Sequence, residues 1–376
     1  MREAVIVSSV RTPGGRANKG SYRNVRPEDL GAAAIKGAMA RVPGLTPEMV
    51  EDVIFGCAMP EGPQGLNVAR SIAMLSGLPV TCPAETVNRF CSSGLQTIAH
   101  AAERIRAGWG DVIVAGGVES MSMVPMGGFT PRPHPDTVFN DPALFTAMGN
   151  TAEIVVERYG VTREEQDALA VRSHERALAA IKEGRFTDEI VPFGDLTVDE
   201  GPREGTTMEV LGKLRAVFKE GGSVTAGNSS QMTDGAAAAV VMSREKAEEL
   251  GAEILGILRD YVVVGVKPDE MGVGPRYAVP KLLERNDLTV DDIDLFEINE
   301  AFASQSVYCV RELKLDMDKV NVNGGAIALG HPLGCTGAKL TATILHEMKR
   351  RGSRYGVVTM CIGGGMGAAG LFERPQ

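Results

Sequence analysis

The fold is indicated by two matching stretches, LTPEMVEDVIF at residues 45–55 and LTVDDIDLFEI at residues 288–298. A glycine that opens a predicted helix follows the first leucine of each stretch at the same distance of 49 residues, at Gly94 and at Gly337. Each helix then leads into an apolar run that ends in glycines, DVIVAGG in one case and YGVVTMCIGGG in the other. Such a repeat predicts a duplicated structural unit, although two ordinary strand–helix units with chance spacing would also match.

The repeat divides the chain into two similar halves and a middle part. We predict a first half from residues 1–118 and 235–251, an inserted loop domain at 119–234 and a second half at 252–376. The insertion ends before DGAAAAVVMS, which matches GMGAAGLFE at the end of the second half and predicts a closing strand. Because strand and helix signals alternate in both halves, we expect an α/β architecture with parallel strands and crossover helices.

Composition and charge restrict the classes of function. The 376 residues are 44% hydrophobic and carry a formal net charge of -9, which argues against nucleic acid or an anionic membrane as the main partner. No apolar run is long enough to span a bilayer. The start of the chain leads directly into a strand-like run and its end, RPQ, is not a peroxisomal address, so we expect no targeting segment. The scattered cysteines form no CxxC pair and predict reduced thiols in a cytoplasmic protein; they are Cys57, Cys82, Cys91, Cys309, Cys335 and Cys361.

Three motifs carry residues suited to catalysis. Cys91 in NRFCSSGLQ begins the helix of the first half, His331 in GGAIALGHPLGCTGA precedes the equivalent helix, and Cys361 ends the strand after it. A buried cysteine is usually only a small hydrophobe. However, a pseudo-twofold would bring these motifs to one end of the molecule, where α/β proteins bind ligands. A helix start stabilises a thiolate, a histidine accepts its proton, and N–H groups after Cys91 or in glycines 363–365 hold an oxyanion.

Other motifs are weaker. GMGAAG at 365–370 matches the dinucleotide pattern GxGxxG, but the six residues after it leave no room for a helix that would hold a pyrophosphate. His331 and Cys335 lack a second pair at metal-ligand spacing, so we expect no metal. The remaining histidines are predicted to be surface or packing residues: His100, His134, His174 and His346.

Taken together, the motifs resemble those of the thiolase family. The resemblance is carried by VRTPGGR, NRFCSSGLQ, AGNSSQMTDGAAA, EINEAF, GGAIALGHPLGCTGA and CIGGGMG, which follow the family's order along nearly the whole chain. It implies a duplicated fold with a layered αβαβα core and a loop domain inserted in the first half. It also implies an acyltransferase that works through a cysteine thioester.

The resemblance assigns a role to each catalytic position. Cys91 would be the nucleophile that carries the acyl group, and His331 would activate it. His331 and a water held by Asn299 would line one oxyanion site, and the N–H groups of Cys91 and Gly363 would form the second. Cys361 would exchange a proton with the α-carbon of acetyl-CoA. The positions implied to bind coenzyme A or to lie near the thioester are Arg203, Phe218, Ser230, Met148, Ala301 and Phe302.

Within the family, NRFCSSGLQ and AGNSSQ favour degradative enzymes that cleave 3-ketoacyl-CoA in fatty-acid breakdown. The biosynthetic alternative condenses two acetyl-CoA molecules, but such enzymes typically have His-Met-Gly where this chain has Ala147, Met148 and Gly149. A non-catalytic acyl-binding relative would be free to lose Cys91, His331 or Cys361. A ketoacyl synthase would be expected to show a Cys-His-His or Cys-His-Asn site instead.

The resemblance also implies partners. Coenzyme A thioesters would be the substrates and no cofactor would be needed. We expect a homodimer, because exposed sheet edges are commonly covered by a second subunit and a twofold is the simplest closed symmetry. Some thiolases become tetramers through a loop of the inserted region. That region, SMVPMGGFTPRPHPDTVFN, is short here, which favours the dimer over the tetramer.

Overall fold

Two β-sheets, one in each half, organise the chain in the computed structural model, which describes residues 2–375. The first sheet contains β1 Ala4–Arg11, β2 Gly15–Arg16, β3 Asp52–Gly56, β4 Ala84–Val87, β5 Val112–Ser120 and β6 Thr233–Ser243. The second contains β7 Ile257–Gly265, β8 Leu295–Ile298, β9 Tyr355–Ile362 and β10 Met366–Glu373. Each apolar run that predicts a strand overlaps one of these strands.

The two sheets have the same strand order. The first runs β1-β6-β5-β3-β4, with β2 beside β6, and the second runs β7-β10-β9-β8. The strands β1, β6, β5 and β3 therefore correspond in turn to β7, β10, β9 and β8. This correspondence confirms the predicted duplication. It leaves β4 as an outer strand of the first sheet without an equivalent strand in the second.

The expectation of parallel strands holds for only part of each sheet. The pairs β3–β4, β3–β5 and β8–β9 are parallel, whereas β6 is antiparallel to β1 and β5, and β10 is antiparallel to β7 and β9. For β9 and β10 the reason is chain length, because a parallel pair needs a crossover of about a dozen residues or more. Only residues 363–365 separate β9 from β10, so these strands form a hairpin.

The helices form three layers around the sheets. They are α1 Pro27–Met39, α2 Val68–Leu75, α3 Ser93–Arg106, α4 Pro135–Asn140, α5 Met148–Tyr159, α6 Arg163–Lys182, α7 Met208–Gly212, α8 Arg244–Glu249, α9 Gly274–Arg285, α10 Ala303–Leu313, α11 Ala326–Leu329 and α12 Thr336–Arg351. Helices α3 and α12 pack together between the sheets, α1 and α2 cover the outer face of the first sheet, and α9 and α10 cover that of the second. The layered αβαβα prediction is confirmed. Within residues 2–375, no helix has both the length and the apolar character needed to cross a membrane.

The central helices cross at the two glycines of the repeat. A Cβ placed on Gly94 would lie 2.7 Å from the backbone nitrogen of Ala338, and one on Gly337 would lie 2.7 Å from Cβ of Leu95. Real Cβ atoms essentially never approach other heavy atoms so closely, so both positions require glycine. The close crossing brings the starts of α3 and α12 together.

The predicted insertion lies against the second half. Helix α6 begins at a capping box formed by Thr162 and Glu165, and it packs on α10 and α11. The connection between Ser120, at the end of β5, and Thr233, at the start of β6, contains α4 to α7. The insertion therefore reaches the segment before α12 that carries His331. The domain boundaries at 118 and 235 stay predictions.

Candidate active site

Cys91 lies in a tight turn immediately before α3, close to its predicted place in the first turn of that helix. The turn is a 3₁₀ helix at Phe90–Ser92, entered through a left-handed backbone at Phe90 with φ 43°. The Ser93 hydroxyl fixes this turn, since it donates to the Phe90 carbonyl (2.7 Å) and accepts from the N–H of Arg89 (2.9 Å). Left-handed backbone is strained for a residue with a side chain and is found mostly where function requires it. The Cys91 side chain is thereby held at the junction of the two halves.

The Cys91 thiol is buried, with only 8% of the residue exposed. Burial raises the pKa of Cys91 to about 11, whereas the backbone N–H groups of Gly363 and of Cys91 itself lower it. The carboxylate of Glu119 raises it again. Backbone N–H groups from both halves of the chain therefore act on this thiol. These donors are the pair that the resemblance assigns to an oxyanion site.

Cys361 lies at the end of β9, two residues before Gly363, and is completely buried. Burial raises the pKa of its thiol well above the usual value, and the nearby sulfurs of Cys91 and Cys309 add to this effect. Its sulfur is 3.8 Å from the side-chain oxygen of Gln305. The structure therefore brings both predicted thiols to the same glycine turn, each in the protonated form.

His331 and Asn299 form a second group of site residues. The Nε2 atom of His331 lies 3.3 Å from Nδ2 of Asn299, and its Nδ1 atom lies 2.6 Å from the Thr336 hydroxyl. Burial, with a contribution from the charge of Lys339, lowers the pKa of His331 to about 3, so the ring is neutral. The Oδ1 atom of Asn299 is buried and has no hydrogen-bond partner within residues 2–375. A buried amide oxygen of this kind usually accepts from a water or ligand.

The two groups meet through the turn that follows His331. Cys91 packs against Leu333, and the turn at Leu333–Cys335 touches the turn that carries Cys91. Glu119, at the end of β5, holds this junction with a buried carboxylate. Its donors are the backbone N–H groups of Ala58 (2.8 Å), Met59 (3.2 Å) and Gly334 (2.8 Å) and the side-chain amide of Gln64 (2.7 Å). One carboxylate thus ties the first half to the segment that carries the histidine.

Glu119 lies outside the motifs that indicated the site residues. The available signal was an acidic residue inside a fully buried strand, since β5 reads VIVAGGVES and is buried throughout. Buried carboxylates are rare unless they are paired or bonded. The four N–H donors show why this one is retained.

The predicted coenzyme A residues separate into two groups. Arg203 lines a cavity of about 260 Å³, together with His174, Gln231 and Ile327. Its side chain lies 3.3 Å from the side-chain oxygen of Gln231, and its backbone N–H donates to Nδ1 of His174 (3.1 Å). His174, which was expected to be a surface or packing residue, is buried and also lines this cavity. The backbone carbonyl of Gln231 accepts from the N–H of His331 (3.1 Å), so the cavity adjoins the catalytic group.

The second group lies around Cys361 and does not line that cavity. Cys361 packs with Ala301 and with the half-buried side chains of Met148 and Phe302. Phe218 meets Phe302 edge-on, with ring centroids 6.1 Å apart. The N–H of Ser230 donates to the Ala301 carbonyl (3.0 Å). Ser230 thus contacts this group through its backbone.

Known proteins are similar to this chain in both sequence and fold. The family models described as thiolase, N-terminal domain and thiolase, C-terminal domain match residues 4–245 and 252–374. The chain is 55% identical to a 3-ketoacyl-CoA thiolase of Bacillus subtilis, over 99% of this chain and all of the relative. It is 51% identical to the peroxisomal 3-ketoacyl-CoA thiolase A of Mus musculus, over 99% of this chain and 91% of the relative.

Two solved structures have the same fold over almost their full length. The dimeric peroxisomal thiolase of Saccharomyces cerevisiae superposes with a TM-score of 0.92 at 40% identity, covering 100% of this chain and 98% of that one. The Bacillus anthracis acetyl-CoA acetyltransferase superposes with a TM-score of 0.91 at 43% identity, covering 99% of both chains.

Proposed function

The chain belongs to the thiolase family, and from that premise we propose that it cleaves 3-ketoacyl-CoA with coenzyme A to acetyl-CoA and a shortened acyl-CoA. The observation that carries the proposal is the packing of the turn that holds Cys91 against two elements: the turn at Leu333–Cys335, which follows His331, and strand β9, which carries Cys361 near its end. A nucleophile, an acid and two oxyanion donors are therefore available at one place. These groups need no cofactor.

In the first step, Cys91 attacks the 3-keto carbonyl as its proton passes to His331. Because the resting pair is neutral, with a thiol pKa of about 11 and an imidazole pKa of about 3, the proton moves as the carbon–sulfur bond forms. The developing oxyanion lies between the N–H groups of Cys91 and Gly363. Preorganised donors of this kind usually supply the largest share of catalysis.

In the second step, the bond between the α-carbon and the keto carbon breaks, and its electron pair forms the enolate of acetyl-CoA. Cys361 gives its proton to the α-carbon, and the acyl group stays on Cys91 as a thioester. The His331 ring, which still carries the proton taken from Cys91, stabilises the enolate oxygen together with a water on Asn299. The unpartnered Oδ1 atom of Asn299 supports this placement of a water.

In the last step, coenzyme A takes the acyl group. The Cys361 thiolate accepts the proton of the incoming thiol, whose sulfur attacks the thioester carbonyl. Cys91 leaves as a thiolate and recovers its proton from His331, so all groups return to the resting state. The cavity lined by Arg203 and His174 is our candidate for coenzyme A, because a guanidinium group suits a phosphate.

The surroundings of the glycine turn favour an alkyl chain. A Cβ placed on Gly363 would lie 3.6 Å from the sulfur of Met148 and 3.9 Å from the ring of Phe90. A Cβ placed on Gly364 would lie 3.6 Å from a methyl carbon of Leu144. Apolar side chains therefore border the turn next to the reacting carbonyl, as a fatty acyl substrate requires.

The test is a series of 3-ketoacyl-CoA substrates of increasing chain length, assayed with coenzyme A by mass spectrometry of the products. We expect cleavage to acetyl-CoA and an acyl group on the Cys91 peptide after acid quench. Cys91→Ser should lose both, whereas Cys82→Ser, which alters another buried free cysteine, should keep both. An acyl group found only on a different cysteine would contradict the proposal.

We also propose a homodimer in which the outer strand β4 is covered by the second subunit. All four residues of β4 are only half-buried, and the nearby Leu66 and Val80 are strongly exposed. An uncovered edge with apolar neighbours is an aggregation hazard. Light scattering should give twice the chain mass of 39.8 kDa. Leu66→Asp should weaken the dimer, and Tyr277→Asp, on the outer helix α9 of the other half, should not.

We place the protein in the cytoplasm. The support is the set of six cysteines, all buried and free, which suits a reducing compartment. Relatives with peroxisomal names make the location worth measuring. Fractionation of the source cells should recover the protein with cytoplasmic markers, and recovery with an organelle or membrane fraction would contradict the placement.

A further inference from the structure

A buried lysine holds the backbone just before the histidine of the site. Lys339, on α12, is 4% exposed, and its ammonium donates to the carbonyls of Leu329 (2.7 Å) and Gly330 (3.0 Å). These two residues directly precede His331 in the chain. Burying an ammonium group is costly unless it is paired and hydrogen-bonded, so its retention needs a reason.

Charges from distant parts of the chain compensate that ammonium. Burial lowers the pKa of Lys339 to about 8, and the carboxylate of Asp199 opposes this shift. Asp199 is itself held by both terminal nitrogens of Arg11 (2.7 and 2.9 Å), and Arg11 also binds Glu189 (2.5 Å). The cluster thus connects β1 and the insertion to α12. The carboxylates of this cluster act on the Lys339 ammonium through their charge, whereas its hydrogen bonds go to the Leu329 and Gly330 carbonyls.

Gln231 and Lys339 share the support of the segment before His331. The Gln231 side-chain amide donates to the carbonyls of Ile327 and Ala328 (3.2 Å each), and Lys339 binds the next two carbonyls. Helix α11 ends at Leu329, and the last carbonyls of a helix lack partners within it. Gly330 has φ 83°, and a Cβ there would lie 2.9 Å from Cβ of Thr233. The backbone therefore turns sharply at Gly330, and the direction of the His331 ring depends on how firmly this turn is held.

We propose that Lys339 is a positioning residue: by binding the Leu329 and Gly330 carbonyls it fixes the turn that aims the His331 ring between Asn299 and Thr336. The inference rests on the proposed function. It also gives the charged cluster a role beyond stability, because Arg11 and Asp199 act on the site through Lys339. The positive charge of Lys339 further disfavours protonation of the His331 ring.

The test compares Lys339→Met with Thr343→Val. Thr343 lies one turn further along α12 and donates to Glu189 in the same cluster (2.9 Å). We expect Lys339→Met to lower kcat by about 10- to 100-fold with little change in KM, because a small misplacement of a catalytic group has this effect. Thr343→Val should lower the melting temperature and leave kcat within about twofold.

A spectroscopic readout separates this inference from the proposed function. With ¹⁵N-labelled histidine, the His331 ring of the unsubstituted protein should show a single neutral tautomer, since both nitrogens have fixed neighbours. Lys339→Met should average the two nitrogen signals, and Lys339→Arg should restore the single tautomer. If Lys339→Met does not fold, Lys339→Gln replaces it with the same expectation. Unchanged His331 signals and kcat in the folded neutral variant would overturn the inference. Absence of thiolysis in the unsubstituted protein would refute the proposed function, and the histidine spectra would still decide the positioning role.

Discussion

Glu119→Gln should make the protein less stable and its Cys91 thiol more reactive. Each oxygen of the Glu119 carboxylate accepts from two N–H groups. In glutamine, one carboxylate oxygen is kept and the second is replaced by an NH₂ group. That NH₂ group faces two N–H donors and cannot accept from them. Two hydrogen bonds to a charged acceptor, each worth about 1.5–3 kcal/mol, are lost, which amounts to about 3–6 kcal/mol.

Part of this loss is recovered, because a neutral amide is cheaper to bury than a carboxylate. We therefore expect a net decrease of about 2–4 kcal/mol in the free energy of unfolding. At about 2.1 cal/mol/K per residue, the unfolding entropy of the 376-residue chain is about 0.8 kcal/mol/K. The melting temperature should accordingly fall by about 3–5 °C, which differential scanning fluorimetry measures.

The effect on Cys91 has a definite sign. The Glu119 carboxylate contributes to the raised pKa of the Cys91 thiol, so its removal lowers that pKa and increases the thiolate fraction at a given pH. Alkylation of the Cys91 peptide by iodoacetamide at pH 8 should become faster. General loosening of the fold would also expose the other buried cysteines, so their alkylation is followed in the same digest.

Glu297→Gln is the matched control. Glu297 is buried in β8, its Oε2 atom has no hydrogen-bond partner within residues 2–375, and burial raises its pKa well above the usual value, with Glu189 and Glu300 adding to the effect. Burial raises the pKa of Glu119 too, but Glu119 accepts from four N–H groups that oppose this shift. Glu297 has an oxygen without such a donor, so it loses little on becoming an amide. An unchanged melting temperature and alkylation rate in Glu119→Gln would refute our account of the junction.

Three further outcomes are expected. The Cys361→Ser variant should still be acylated at Cys91, but its rate of exchange of acetyl-CoA α-protons with deuterated water should fall by about 100- to 10,000-fold. A normal exchange rate would remove Cys361 from the mechanism. Without substrate, the rate of Cys91 alkylation should keep rising with pH up to about 11, because the raised pKa keeps the thiol protonated below that pH. A rate that levels off near pH 8 would contradict this. Gly337→Ala should lower the free energy of unfolding, measured by urea denaturation, by at least about 1–3 kcal/mol, because the added Cβ overlaps Leu95. An unchanged free energy of unfolding would show that the helix crossing is looser than described.

The sequence was most informative where the chemistry is local. Cys91, His331 and Cys361 each lie in a short motif beside glycines, and the equal spacing to Gly94 and Gly337 predicted which motifs would share one end of the fold. Strand direction was less predictable. Strand β10 returns antiparallel after a three-residue turn, but β6 also returns antiparallel after an insertion that is long enough for a parallel crossover. Apolar runs look alike in both arrangements.

The residues missed by sequence reasoning act through long-range contacts. Glu119 bonds to Gly334, which is 215 positions away, and the cavity wall at His174 forms only when the insertion folds back. In the sequence alone, Lys339 looks like an ordinary surface residue of a helix. Its burial becomes evident only from the folded structure, in which it lies near the cluster around Arg11. No periodicity marks such residues, because their partners belong to other segments.

The crossing of α3 and α12 also has the symmetry of an interface between two subunits. In a closed twofold assembly, a contact made by one copy is repeated by the other with the roles exchanged. Gly94 approaches the α12 residue that follows Gly337, and Gly337 approaches the α3 residue that follows Gly94. The two halves therefore meet as two subunits of a twofold dimer would, with one glycine contact made twice. The chemistry does not follow this symmetry, because Cys91 lies in the first half whereas His331 and Cys361 lie in the second.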